Sequence, residues 1–516
     1  MIHDYVIVGA GAAGCVLANR LSADPDVQVL LVEAGGRARN PLLAVPRAFY
    51  LTLRSDRYVD RYPTRATADG TPAEAWIRGR GLGGSTLVNG MMYVRGAAAD
   101  FDALEAAGNP GWGSAAFLRA YRELEELLAV TVPSSGDEVT DALFEAAGSN
   151  GLRRTADFND SDDERIGFTP ATISRGRRVS AASAFLAPAR SRPNLTIVTG
   201  AHAERIVLDG RRAVGVVLRH GGRSEQVRAR REVLVAAGTI GSPLLLERSG
   251  IGRTDVLRAA GVPLVAESQA VGEGVVEQRS VSLQVRFHGR HGPTERLNTV
   301  PKQALAGARY LASRRGPVAT SGYDVVSAFR SSPDVDRPDV QGVWVPMALD
   351  ETSERMRLAP YSGLLFTGYA LRPTSTGSVH LSAAGARDAV TIVPGHLRDA
   401  PERAVTGAIL EHARRVVGTS PLSGLVASEV FPGSSVADPE QVVQHAIEHG
   451  SGIYHAVGSC AMGPDDHAVV DADLRVRGVD GLRVVDASVL PGQVSGNSAA
   501  PVMAVAWLAA DRVVAE

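Results

Sequence analysis

Three glycines near the start of the chain, Gly9, Gly11 and Gly14, are spaced as a phosphate-binding turn requires. The apolar, β-branched run Tyr5-Val6-Ile7-Val8 precedes them, and a helix-like stretch, Cys15 to Leu21, follows. A second apolar run, Val27 to Val32, ends at Glu33. Gly9 permits the tight turn and Gly11 lets backbone approach a pyrophosphate, while Gly14 lets helix and strand pack closely. Ala12 and Ala13 then open a helix whose unpaired N–H groups would face the phosphates. Glu33 can accept hydrogen bonds from a ribose diol. The pattern predicts a dinucleotide site and does not separate NAD from FAD.

The other reactive side chains are sparse. Of the 12 histidines, His445 and His449 stand i, i+4 on a predicted helix, but no glutamate follows in a zinc-protease arrangement. No metal site is expected. No Gly-x-Ser-x-Gly marks a nucleophile elbow, which excludes an α/β-hydrolase reading. The two cysteines, Cys15 and Cys460, are too few for a disulfide framework.

The elements that must hold these groups follow from the pattern. Phe117 to Leu128 predicts an amphipathic helix. Thr196 to Gly215 predicts two strands around Asp209-Gly210. Val233 to Gly238 is a buried strand ending in glycine, with a helix over Ser242 to Arg248. Leu482 to Asp486 is another strand, and Ala499 to Val514 a final apolar helix. Strands of the nucleotide fold therefore lie at both ends of the chain. The middle, about Val276 to Val436, alternates without glycine fingerprints and suits a substrate domain. The fold class expected is α/β, with a discontinuous FAD- or NAD-binding Rossmann-like domain and an inserted α+β domain containing an antiparallel sheet. The net charge of -2 excludes a global field favouring nucleic acid or an acidic membrane. No signal peptide or transmembrane run stands out, so a cytoplasmic location and no membrane partner are expected.

Several stretches resemble the glucose–methanol–choline (GMC) oxidoreductase family, in the family's order. They are the N-terminal fingerprint with Glu33, Arg78-Gly79-Arg80-Gly81-Leu82-Gly83-Gly84-Ser85-Thr86-Leu87-Val88-Asn89-Gly90, and Arg177 to Ala182 leading to Asn194. Gly238-Thr239-Ile240-Gly241-Ser242-Pro243, Tyr454 to Gly463, and Val485 to Pro491 with Gly496 to Pro501 complete them. The resemblance implies FAD and oxidation of an alcohol. It implies a division into FAD-binding segments 1–110, 191–275 and 451–516, a substrate-domain or cap segment 111–190, and a substrate-binding domain 276–450. Cofactor contacts are implied at Gly9, Gly11, Ala12, Ala13, Gly14, Glu33 and Ala34 in the first segment. They continue at Arg80, Gly83, Gly84, Ser85, Asn89, Gly90, Met91 and Met92. Ala203, Ala237, Gly238, Asp486, Ala487, Asn497 and Ser498 complete the expected set. Some family members attach FAD through a histidine just before this asparagine; Val88 stands there, so FAD is expected to be non-covalent.

Oxidising an alcohol removes a proton from oxygen and a hydride from carbon. Flavin takes the hydride, and a side chain titrating near working pH takes the proton. The resemblance assigns that base to His455 and its partner to Asn497. The partners expected are a small-molecule alcohol, such as a sugar, amino sugar or aryl alcohol, and oxygen or another electron acceptor. Tyr323, Trp344 and Tyr454 are the candidate substrate walls, and Asp324, Asp350 and Glu351 candidates for a cationic substrate. One stretch departs from the pattern: Ala270 to Gln278 carries Gly274 in place of asparagine and Glu277-Gln278 in place of Asp-His. A lyase that keeps FAD without net redox chemistry is the alternative within the same fold.

Overall fold

The computed structural model describes residues 2–67, 70–132, 136–350, 357–383 and 390–515. Four strands of its first sheet stand where the apolar runs predict them, whereas the stretch Thr196 to Gly215, predicted as two strands, contains parts of three, Leu195–Thr199, Ala201–Asp209 and Arg212–His220. Leu195–Thr199, Val29–Glu33, Ile2–Val8, Arg223–Val235 and Leu482–Val484 pair in parallel, in that spatial order. The central residues of the inner strands are buried on both faces, as parallel strands covered by helices must be, whereas the edge strand Leu195–Thr199 is only partly buried.

The strand Arg223–Val235 does two jobs. Its first half is mostly exposed and continues the antiparallel meander Ala201–Asp209 and Arg212–His220. Its last three residues are buried in a row and join the parallel sheet. The helix Ala12–Leu21 and the C-terminal helix Ala499–Ala515 pack on this sheet in one apolar core. The latter is apolar nearly all round, so it lies inside rather than on the surface.

The second sheet runs Val426–Phe431, Ser280–Phe287, Gly363–Ala370, Val340–Val345, Val325–Phe329, Arg165–Phe168 and Arg153–Thr155. All neighbours are antiparallel except the last pair. One face packs on the helices Glu138–Ser149, Ala400–Val417 and Pro439–His449. The other turns Ser282, Val343, Val345, Leu365, Thr367 and Tyr369 into a large cavity. The two-residue period of a strand decides which side chain goes where.

The segment 111–190 divides between the two bodies. Phe117, Tyr121 and Leu124 of the helix Ser114–Leu128, and Phe185 beyond it, belong to the core of the first sheet. The helix Glu138–Ser149 and the strands at 153–155 and 165–168 belong to the second. The amphipathic stripe of 117–128 showed a buried face without showing which sheet it would cover.

Candidate active site

A cavity of about 1790 Å³ lies between the parallel strands' C-terminal ends and the inner face of the second sheet. Ordinary ligand sites run roughly 300–1,000 Å³, so this one has room for a dinucleotide and a second molecule. Its glycine lining fits the nucleotide. Gly9 has φ +101°, and a Cβ there would lie 2.3 Å from Ala236 O. A Cβ on Gly14 would lie 1.8 Å from Gly9 O, so this glycine serves packing and does not line the cavity. A Cβ on Gly11 would meet nothing within 4 Å, and the helix it opens has no side-chain cap. The first turn, with Ala12 and Ala13, therefore offers its N–H groups to an anion in the cavity.

Glu33 lines the same cavity, but its carboxylate also closes the turns around it. Ala10 N–H donates to Oε2 at 2.9 Å, and Gly35 and Gly81 N–H donate to Oε1 at 2.7 and 3.0 Å. Burial pushes this carboxyl above its ordinary value, and the three N–H donors oppose that push. Ala34 lines the cavity beside Glu33, and Arg80, Gly84, Ser85, Asn89, Gly90, Met91 and Met92 line it from the second motif. Gly83 does not: at φ +110° it folds the chain back and donates its N–H to Ala10 O at 2.8 Å. Ala203, Ala237, Gly238, Ala487 and Ser498 line the wall beyond.

Asp486 lines the cavity with its carboxylate already engaged. Oδ2 accepts from Gly238 N–H at 2.8 Å and Ser242 Oγ at 2.5 Å. Oδ1 accepts from Ser488 N–H at 2.8 Å and Ser488 Oγ at 2.6 Å. It ties the C-terminal strand to the first turn of the helix Gly238–Arg248.

His455 and Asn497 meet across the cavity wall: Asn497 Nδ2 donates to His455 Nε2 at 3.0 Å. The protons can be placed by following the donors outward. Gln278 Nε2 donates to the carbonyls of Ala370 (2.9 Å) and Leu371 (3.2 Å), which leaves Gln278 Oε1 as an acceptor. That oxygen lies 2.9 Å from His455 Nδ1, so Nδ1 carries the proton and Nε2 keeps a lone pair facing the cavity. Burial, and then the Arg78 cation, push this imidazole down to about 3, which keeps it neutral and its Nε2 lone pair free of a proton. Gln341 Nε2 donates to Asn497 Oδ1 at 3.2 Å and to Tyr369 Oη at 2.6 Å, which orients the asparagine amide toward the imidazole. Glu277 accepts the N–H of His455 (2.9 Å) and of Ala456 (3.0 Å), pinning the backbone that carries the imidazole.

Gln278, Glu277, Gln341 and Tyr369 were not singled out as site residues from sequence. Glu277 and Gln278 were visible only as a departure from the family pattern. Gln341 and Tyr369 are polar residues in strands whose neighbours are apolar, a signal that alternation alone leaves ambiguous.

Of the candidate walls, Tyr323 and Tyr454 line the cavity and Trp344 does not. Trp344 is on the opposite face of its strand, fully buried, 4.4 Å from the Phe366 ring, with Nε1 donating to Ser327 Oγ at 3.0 Å. It is a core residue; its neighbours Val343 and Val345 take the wall. Asp350 lines the cavity, Asp324 is not on its lining, and Glu351 lies outside the described residues. Met92, Val343, Val345, Met347 and Leu365 form one apolar cluster on the cavity lining, with the polar Ser282 and Thr367 on the same sheet face. The His445 and His449 rings lie 4.8 Å apart, tilted by 41°, on their helix, and among the described residues no group of three metal-ligating side chains forms.

Models of GMC oxidoreductase domains match residues 3–278 and 373–506. The chain is 32% identical to an alcohol dehydrogenase [acceptor] of Pseudomonas putida, over 99% of this chain and 96% of that protein. It is 33% identical to an oxygen-dependent choline dehydrogenase of Vibrio vulnificus, over 99% and 94%. The crystal structure of pyridoxine 4-oxidase from Mesorbium loti superposes with a TM-score of 0.86 at 29% identity, covering 100% of this chain and 99% of that one. With the glycine-lined cavity and both domain models in place, the chain is an FAD-binding enzyme that belongs to the GMC oxidoreductase family.

Proposed function

We propose that the chain oxidises an apolar primary alcohol, aryl or aliphatic, to the aldehyde, with His455 as base and Asn497 holding the substrate oxygen. The observation that carries this is the fixed tautomer of His455, whose lone pair on Nε2 faces the cavity 3.0 Å from an amide donor. The substrate hydroxyl donates to Nε2, taking the place of one Asn497 N–H, and the amide then donates to the substrate oxygen. His455 takes the hydroxyl proton as the carbon gives up its hydride. FAD, when bound, supplies the hydride acceptor. Gln278 holds the imidazole while it gains charge, and Gln341 holds the amide. The apolar cluster of Met92, Val343, Val345, Met347 and Leu365 favours an apolar carbon skeleton over a sugar, whose hydroxyls would lose water against it. The names of the Pseudomonas putida and Mesorbium loti relatives agree with an alcohol substrate.

Val88 precedes Asn89 and has no nucleophile, which supports non-covalent FAD. The test is anaerobic mixing of the purified yellow protein with a panel of alcohols. Bleaching of the flavin band with aldehyde formation is the expected result, strongest for aryl and medium-chain alcohols. Product without bleaching would instead identify lyase chemistry. Admission of air then tells whether oxygen restores the colour.

A further inference from the structure

One helix turns an apolar face to solvent beside the cavity. The helix Val300–Ser313 buries Ala306 and Tyr310, and Tyr310 Oη donates to Gly176 O at 2.9 Å. With about 3.6 residues per turn, the opposite face is centred on Ala308 and carries Val300, Ala304, Leu305, Leu311 and Ala312. No charge interrupts it. Val300, Leu305 and Leu311 are 77%, 73% and 71% exposed, whereas a surface helix ordinarily turns polar residues outward. Leu42 and Leu51 are exposed on the segment 41–54, which also lines the cavity, as do Val300 and Leu311. The apolar face is thus continuous with the lining of the catalytic cavity.

Its flanks are cationic. Residues 296–315 contain Arg296, Lys302, Arg309, Arg314 and Arg315, and no acidic residue. Lys302 pairs with Glu295; among the described residues Arg296, Arg309 and Arg315 form no ion pair. The whole-chain charge of -2 averages this patch away. A second copy meeting this face through a twofold axis would bring like charges together. An anionic bilayer satisfies both features: acyl chains take the leucines and headgroups take the arginines.

We infer that the helix Val300–Ser313 docks the enzyme on anionic lipid surfaces, so that an apolar alcohol dissolved in the bilayer passes into the cavity without crossing water. The inference rests on the proposed apolar-alcohol chemistry for its purpose, but binding is measured without turnover. The holoenzyme is co-sedimented with vesicles of phosphatidylcholine, alone or with about one-third phosphatidylglycerol. Binding is expected on the anionic vesicles, at least ~tenfold weaker on neutral ones and in about 0.5 M NaCl. Leu305→Glu with Ala308→Glu, neither of which lines the cavity, should weaken it by at least ~tenfold. Flavin content, and bleaching by a water-soluble alcohol without vesicles, should stay as in the parent. Arg309→Glu with Arg315→Glu should weaken it comparably, since each cation lost is worth about fivefold. No binding to anionic vesicles at low salt overturns the inference. So does binding indifferent to both variants, or a dimer in sedimentation velocity that the same substitutions dissociate. Failure of all alcohols to bleach the flavin would fall on the proposed function and leave the vesicle result standing.

Discussion

In the proposed reaction the His455 imidazole relies on Gln278, which supplies no chemistry of its own. Gln278 fixes the proton on Nδ1 because its own amide N–H groups are spent on Ala370 and Leu371 carbonyls. Replacing His455 by alanine should slow anaerobic flavin reduction by at least ~10²-fold with FAD retained. Gln278→Leu should slow it by roughly 5–150-fold with little change in KM, since one oriented hydrogen bond of about 1–3 kcal/mol is lost. A Gln278→Leu enzyme with parental single-turnover rates would show that the tautomer needs no such lock. The pH profile has a definite sign. The imidazole is held down to about 3, so the basic form persists far below the ordinary value near 6.5. Flavin reduction should therefore hold level from pH 8 to pH 5, with its acid limb lower still; a limb centred near 6.5 would contradict that environment.

At the scale of elements, strand alternation sorts wall from core. Trp344→Ala should cost about 3–5 kcal/mol in urea unfolding, because it empties a packed site against Phe366. Tyr323→Ala, on the cavity side, should instead raise KM for bulky alcohols with a smaller loss of stability. The departing loop 270–278 has its own anchor. His380 of the strand Ser378–Leu381 lies 2.7 Å from Glu247 and 3.0 Å from Glu273, and these carboxylates raise its pKa to about 9 against the opposing effect of burial. A histidine with a raised folded pKa stabilises fully below its unfolded value near 6.5 and loses that contribution as pH rises through about 9. Melting temperature should fall over that window in the parent and more gently in His380→Gln.

For the whole molecule, the cavity is assembled by distant stretches of chain, from Val8 to Val502. A ligand that binds only this assembled form stabilises all of it, by about 2.7 kcal/mol at a hundredfold excess over Kd. The apoprotein should therefore melt below the holoenzyme, with a midpoint that climbs with added FAD. Acid precipitation should leave the yellow colour in the supernatant, as non-covalent attachment beside Val88 requires.

The local elements were legible because their physical causes are local. The glycine turn, four of the five parallel strands and the final helix follow from apolar runs and from positions where only glycine fits, and Gly9 and Gly14 meet backbone within 2.3 Å of where a Cβ would stand. Which residues meet was decided by tertiary packing. His455 and Gln278 are separated by 177 residues, and Gln341 and Asn497 by 156, and no periodicity encodes such encounters. The same holds for the side of its strand that Trp344 occupies and for the sheet that the helix at 114–128 covers. Alternation predicts two faces, and only the assembled layers decide which one is wet, which is dry and which opens on the site.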